Sequence, residues 1–459
     1  MMTNPRSAAL AVSLLYAAAS VAHAQTMTTQ LDSTMRVAER AGFSGVVRIE
    51  RDGATLLEKG YGLANRETRI PFTAETVVQI GSNTKDFTAV AILQLQEAGK
   101  LSQSDSLAKY FPSAPADKRN ITIAQLMNHR AGFPAGIGGD FEALKRPAFV
   151  DRAMKTPLLF PPGSRESYSN TGFSVLAAIV EQVAGTTYDS YVQRAILTPL
   201  GLRRTGFLLP GFKADDLAHG YLAAGSDQGT MLAKPHDVDG PYWNLRGNGG
   251  MLSTVGDMHA FYTELFEGTK LMTPATRALR FNPDEPIGLA GSDNVNFFLY
   301  ERLPRMKTEI IIASTNVLSK APAIRRELGK VLGLPNPGGD GGGQVARRPG
   351  GKPAPDEIAA GLRDFVAVAN AGDTTRLRTF ISTHFATDPD SPTLNERVTR
   401  FSTIHETVGA MTIDRIEQFP DGSLEMTLSS QLQGTVLMRV VADAQMPYLI
   451  HGIQVRIGG

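Results

Sequence analysis

The stretch Gln79–Val90, QIGSNTKDFTAV, places Ser82 and Lys85 three residues apart at the head of a run that turns apolar, with Phe87, Val90, Ala91, Leu93 and Leu95 before a stop at Gly99. That spacing predicts a helix over about 82–98. A lysine in its first turn is out of place, because the N-terminal end of a helix is partly positive and disfavours an ammonium by about 0.3 kcal/mol or more. An ordinary capping box would instead carry Glu or Gln three residues after the serine. Residues i and i+3 share a helix face, so Ser82 and Lys85 can meet. A lysine whose pKa is lowered by burial can then take the serine proton and create a nucleophile. The alternative is structural, with Ser82 as a cap and Lys85 as a solvated side chain. S-x-x-K alone does not separate the two.

A second element is SYSNTGF, residues 167–173, where Tyr168 and Asn170 precede a helical run TGFSVLAAIVEQVA that Gly185 ends. A tyrosinate beside a lysine ammonium can accept or relay the serine proton, and an Asn amide can bond both the lysine and a substrate carbonyl or amide. Here too a capping Asn and a Tyr at a core edge are the structural alternative. Together and in this order, Ser82-x-x-Lys85 and Tyr168-Ser169-Asn170 resemble the serine β-lactamase and penicillin-binding superfamily, in its class C β-lactamase, D-peptidase and family VIII esterase branch. The resemblance runs from about Leu31 to Leu334. It takes in ITIAQLMNHRAGFP (121–134), like the branch's loop ending in S-G-L-P, and GNGGMLSTVGDMHAF (247–261), like its G-G-L-x-S-T-x-x-D stretch.

The resemblance implies an α+β fold, an antiparallel sheet flanked by helices with a helical subdomain. It implies Ser82 as the acylated nucleophile, Lys85 with Tyr168 as the general-base system, and Asn170 positioning Lys85 and substrate. Its third motif, expected at the start of the strand before the last hairpin turn, selects IGLAGSDNVNFF and puts Leu289-Ala290-Gly291 in the K-T-G position. The oxyanion hole would be the backbone amides of Ser82 and Ser292.

Two positions depart from the branch. Leu289 replaces the Lys or His that helps bind a substrate carboxylate, and Gly136 stands where class C β-lactamases carry Gln after the loop proline. Both favour a neutral ester or small amide over a β-lactam. Arg325 and Arg326 on a closing helix are either a substitute carboxylate contact or ordinary surface arginines. His129 is expected to hold backbone, Gly249 and Gly250 to permit a tight loop, and Asp257 to begin a helix.

The rest of the chain sets the frame. Its 459 residues suggest two or three units. Lys plus Arg, 46, nearly balances Asp plus Glu, 45, which argues against a nucleic-acid or acidic-membrane partner. There is no cysteine, and the eight histidines show no metal-ligand spacing, so no metal or cofactor is expected. Residues 1–24 have a basic Arg6, an apolar run and a small-x-small end at Ala22 and Ala24, as in a secretory signal cut near Ala24. That run is shorter than the approximately 20 residues that span a bilayer, so an exported, periplasmic protein without a stable anchor is expected.

Asp52-Gly53 sits between two β-rich runs as a hairpin turn, and VNFFLYER and TEIIIAST, joined by LPRMK, form a second hairpin ahead of a helix. An antiparallel sheet drawn from both ends accommodates that order. The hydrolase unit is placed at 31–333. Gly and Pro make 12 of the 22 residues of 334–355, a linker composition. Residues 356–459 then read as a small accessory α+β domain similar in outline to the NTF2-like fold, where His405 and Glu406, adjacent in a helix, face apart. The functional expectation is a serine hydrolase acting through an acyl-enzyme on a small ester or amide. The alternatives are a β-lactamase or D-amino-acid peptidase and, from another class, a non-catalytic penicillin or peptidoglycan sensor. The oligomeric state is open.

Overall fold

The structure, a computed structural model, describes residues 25–334 except 209, 222–225, 293–294 and 316–319, and residues 352–457 except 386–393, 396, 399–400, 403–408, 420–423, 431–433 and 443–449. The expected signal segment, most of the Gly/Pro linker, and His405 with Glu406 lie outside the described residues. The chain forms two compact units that part between residues 317 and 318.

In the first unit, helix α1 (25–40) leads into β1 (Gly45–Arg51) and β2 (Ala54–Tyr61). Asp52 and Gly53 join these strands at φ of 52° and 75°. Two consecutive positive values make the turn whose twist suits a two-residue hairpin. Strands β3 (Ile287–Ser292), β4 (Phe297–Leu303) and β5 (Thr308–Ser314) come from the far end of the unit. The sheet order is β2-β1-β5-β4-β3, antiparallel throughout, with Val47 opposite Ile312 and Leu289 opposite Tyr300. The two expected hairpins thus meet along β1 and β5.

Three helices matter to the site: α2 (Thr84–Glu97), α3 (Asn170–Ala184) and α4 (Val255–Glu267). No charged residue falls between Asp86 and Glu97, so α2 is apolar on nearly every side and is buried from Thr84 to Leu93. It packs against α3, and Phe87 stacks on Phe261 of α4 at 3.9 Å. Helix α4 in turn lies on β1 and β5. Asp257 stands in the first turn of α4 as expected, behind the Thr254 cap, and accepts bonds from Arg204 N and Thr205 Oγ1.

Three sequence expectations change. The helix starts at Thr84, and Ser82 sits just before it in a 3-10 turn, Gly81–Asn83. Leu289 to Ser292 are the third to sixth of the six residues of β3 rather than its start, and Gly291 and Ser292, at the end of this edge strand, are the ones that reach that turn. Arg325, on helix α5 (Lys320–Leu332), is only 2% exposed, unlike a surface arginine. Its guanidinium folds over Gly329, where a Cβ would come within 2.4 Å of Nη1; Arg326 remains partly exposed.

The second unit has its own antiparallel sheet in chain order, β6 (Lys352–Pro353), β7 (Met411–Gln418), β8 (Leu424–Ser430), β9 (Gly434–Ala442) and β10 (Ile450–Ile457). Helices α6 (Asp356–Asn370) and α7 (Thr374–His384) precede β7, and Phe365, Phe380, Phe401, Leu428 and Met438 belong to a separate apolar core. Strand β6 falls inside the stretch expected to be linker, pairing with Glu417 and Gln418. An edge position is where a strand tolerates proline.

Candidate active site

Gly81 takes φ of +52°, a left-handed conformation that favours glycine, and turns the chain into Ser82. Thr84 Oγ1 closes the turn by donating to Gly81 O at 2.7 Å. One turn later Lys85, 6% exposed, reaches back so that Nζ lies 3.0 Å from Ser82 Oγ. Nζ also donates to the carbonyl of Asn248 at 2.7 Å. Burial pushes Lys85 down to about 7, against the opposing pull of Asp86 and Asp140. An amine so placed spends one N–H on Asn248 and keeps its lone pair for the serine proton.

Tyr168 closes the other side, with its hydroxyl 2.6 Å from Ser82 Oγ and its ring centroid 4.8 Å from Lys85 Nζ. Desolvation raises the Tyr168 pKa, partly offset by the Ser82 bond and reinforced by Asp86. The side chain is nevertheless 48% exposed, so solvent tempers that rise. That direction favours the protonated phenol, while burial favours the neutral Lys85 amine.

His129 holds the segment carrying Tyr168. Its Nδ1 accepts from Ser169 N at 3.1 Å, its carbonyl accepts from Ser167 N at 2.9 Å, and its ring packs on Tyr168 at 4.7 Å. Burial first, then Lys85 and Arg280, push His129 down to about 4, so it is neutral at working pH. The loop after it docks on the same segment, where Ser169 Oγ donates to Pro134 O and Asn170 N to Ala135 O. Ser169 rather than Asn170 caps α3, accepting from Gly172 N at 3.0 Å. Asn170 is the first helical residue. Its Oδ1 is buried without a partner and makes no bond to Lys85 in this state.

The end of β3 meets the serine turn through a pair of glycines. A Cβ on Gly81 would lie 2.6 Å from Ser292 N, and one on Gly291 would lie 2.5 Å from Ser82 N and 2.1 Å from Ile80 O. Only residues without side chains permit this approach, which brings the backbone amides of Ser82 and Ser292 to one place. Leu289 is half-buried against the core and brings no charge, while Ala290 and Ser292 are exposed.

Asn248, Asp86, Tyr262 and Arg280 were not singled out from sequence. Asn248 acts through a main-chain carbonyl, which leaves no side-chain signature; its amide braces the loop by donating to Ser174 Oγ and Asn244 O. Gly250, at φ of +81°, makes this loop tight, as expected. Among the described residues one group has metal-ligand atoms within 4.8 Å of one another: Glu67, His219 and Asp227. Asn65 Oδ1 accepts from Thr68 N, which turns its Nδ2 to His219 Nε2, and His219 Nδ1 pairs with Asp227. Both ring nitrogens are therefore committed to protein partners.

The family model described as Beta-lactamase matches residues 27–297, more than half of the chain. The chain belongs to the Beta-lactamase family. This member is 32% identical over 242 residues to the putative penicillin-binding protein PbpX of Bacillus subtilis, covering 53% of this chain and 59% of the relative. It is 29% identical over 276 residues to a putative D-alanyl-D-alanine carboxypeptidase of Escherichia coli K12, covering 52% and 64%. The matched region thus spans about three fifths of those relatives. A solved penicillin-binding protein from Bacillus halodurans superposes with a TM-score of 0.53 at 26% identity, covering 62% of this chain and 95% of that one. Fold and family therefore agree with the antiparallel sheet and helices described above.

Proposed function

We propose that this Beta-lactamase family member is an exported serine hydrolase that forms an acyl-enzyme at Ser82 with a neutral ester or small amide. The observation that carries this is the bridging of Ser82 Oγ by Lys85 Nζ at 3.0 Å and Tyr168 OH at 2.6 Å. Ser82 Oγ attacks the carbonyl carbon while its proton passes to the Lys85 amine, directly or through the Tyr168 hydroxyl. The oxyanion is received by the amides of Ser82 and Ser292. The Lys85–Tyr168 pair then returns the proton to the departing alkoxide or amine. Water attacks the ester to Ser82, losing its proton to the same pair, which passes it to the departing Ser82 Oγ as the acid is released.

Leu289 supports the neutral substrate, since an apolar side chain cannot pair with a carboxylate. The names of the relatives favour a second reading, a D-alanyl-D-alanine carboxypeptidase or penicillin-binding activity. A sensor that acylates without turnover is the third. Export rests on the composition of residues 1–24. The C-terminal unit is proposed as an accessory, NTF2-like module.

Mature protein and its Ser82→Ala variant, exposed to a chromogenic short-chain ester, a chromogenic cephalosporin and a D-alanyl peptide and followed by turnover and intact mass, separate these. Ser82-dependent turnover fastest on the ester is expected. Faster cephalosporin or peptide turnover would support the second reading, and a stable penicillin adduct without turnover the third.

A further inference from the structure

Behind the serine–lysine pair runs a buried polar chain that the mechanism above leaves unused. Asn83 Nδ2 donates to the Tyr262 hydroxyl at 2.9 Å, and that hydroxyl donates to Asp86 Oδ2 at 2.8 Å. The directions follow from the atoms: Asn83 Nδ2 can only donate, so Tyr262 accepts from it and spends its single proton on the carboxylate. Asp86 and Asn83 are 6% and 2% exposed, and Tyr262 is fully buried. Asn83 Oδ1 has no hydrogen-bond partner and lies 2.8 Å from where a Cβ on Gly291 would sit. Tyr262 stacks on Tyr300 of β4 at 3.7 Å, and Tyr300 is the cross-strand partner of Leu289. One end of the chain is thus the neighbour of Lys85 and the other underlies the oxyanion strand. A buried Asp would be costly without such a donor, and its place in the first turn of α2 puts a carboxylate at the positive helix end.

We propose that Asp86, Tyr262 and Asn83 form a positioning chain that ties the turn bearing Ser82 and Lys85 to the end of β3, with the Asp86 carboxylate as the acidic neighbour of Lys85 along α2. Burial raises the Asp86 pKa, and the Tyr262 bond and the Arg280 and Lys85 charges oppose that rise. This rests on the serine-hydrolase reading above. Tyr262 and Asn83 set the spacing between the nucleophile and the second oxyanion amide. Asp86 opposes the burial of Lys85, so the amine titrates near neutrality rather than below it. The other groups facing the pair are Tyr168 and His129 from the loops over the serine, Asp140 from the loop after Pro134, and Arg280, which faces both Asp86 and His129. His129 is pushed down to about 4 and contributes no charge change near neutrality.

The test is the pH dependence of kcat/KM on a neutral chromogenic ester for wild type, Asp86→Asn, Tyr262→Phe and Ser82→Ala, with circular dichroism as the folding check. Asp86→Asn keeps an acceptor for Tyr262 but removes the charge, so the ascending limb moves to lower pH by about one unit. Tyr262→Phe lowers kcat several-fold with KM held, because it disturbs the oxyanion geometry and leaves the binding surface intact. A folded Asp86→Asn with an unmoved limb overturns the proposal. If that variant does not fold, unchanged kcat and KM in Tyr262→Phe do so. Activity undiminished in Ser82→Ala is a different result, which removes the serine mechanism itself.

Discussion

At the scale of single residues, the account depends on the protonation of Lys85. Its amine is held down to about 7 by burial, so the neutral, proton-accepting form dominates only above that pH. The kcat/KM for an ester should therefore rise with pH and level off above about 7 in a stopped-flow or plate assay; a flat profile down to pH 5 would contradict a lysine base. Leu289→Lys restores a cation at the third motif. It should improve kcat/KM for a carboxylate-bearing substrate relative to its methyl ester by about tenfold, the equivalent of ~1.4 kcal/mol. The meeting of Ser82, Lys85 and Tyr168 was legible in the sequence because it is made by side chains at a telling spacing. The carbonyl of Asn248 was not, since any residue there would offer one, and the unpartnered Asn170 Oδ1 shows a contact that spacing suggests and this geometry lacks.

At the scale of elements, the site is a junction between a turn and a strand end. Gly291 leaves no room for a methyl group against Ile80 O and Ser82 N. Gly291→Ala should thus push β3 away from the serine turn, costing about 1–3 kcal/mol of stability and lowering kcat more than it raises KM, as read by thermal melts and steady-state kinetics. The two hairpins were legible because Asp-Gly and a short polar joint punctuate alternating strands. The position of the third motif along its strand was less so. Register depends on which strand pairs with which, and Leu289 owes its half-buried place to facing Tyr300. Ser169 takes the cap that the structural alternative gave to Asn170, since both residue types cap well and sequence alone does not choose between neighbours.

At the scale of the whole molecule, the chain divides into two units with separate sheets and cores, and the family match ends at residue 297. If the domain expected at 356–459 is an accessory, a chain ending before Gln344 should stay folded and keep its ester turnover within about threefold, since a domain with its own core folds by itself; loss of turnover in a folded truncation would assign the removed residues a part in the reaction. Its helices and strands were legible from periodicity, but strand β6 was hidden in a Gly/Pro-rich stretch because a proline-containing edge strand has no alternation to show. The claim on which all else rests is a covalent bond to Ser82 driven by a neutral Lys85. Intact-mass measurement of labelling by a fluorophosphonate across pH tests it most directly. The account predicts one adduct, mapped to Ser82, absent in Ser82→Ala, and forming faster as pH rises through about 7; equal labelling of wild type and Ser82→Ala, or an adduct on another residue, would contradict it.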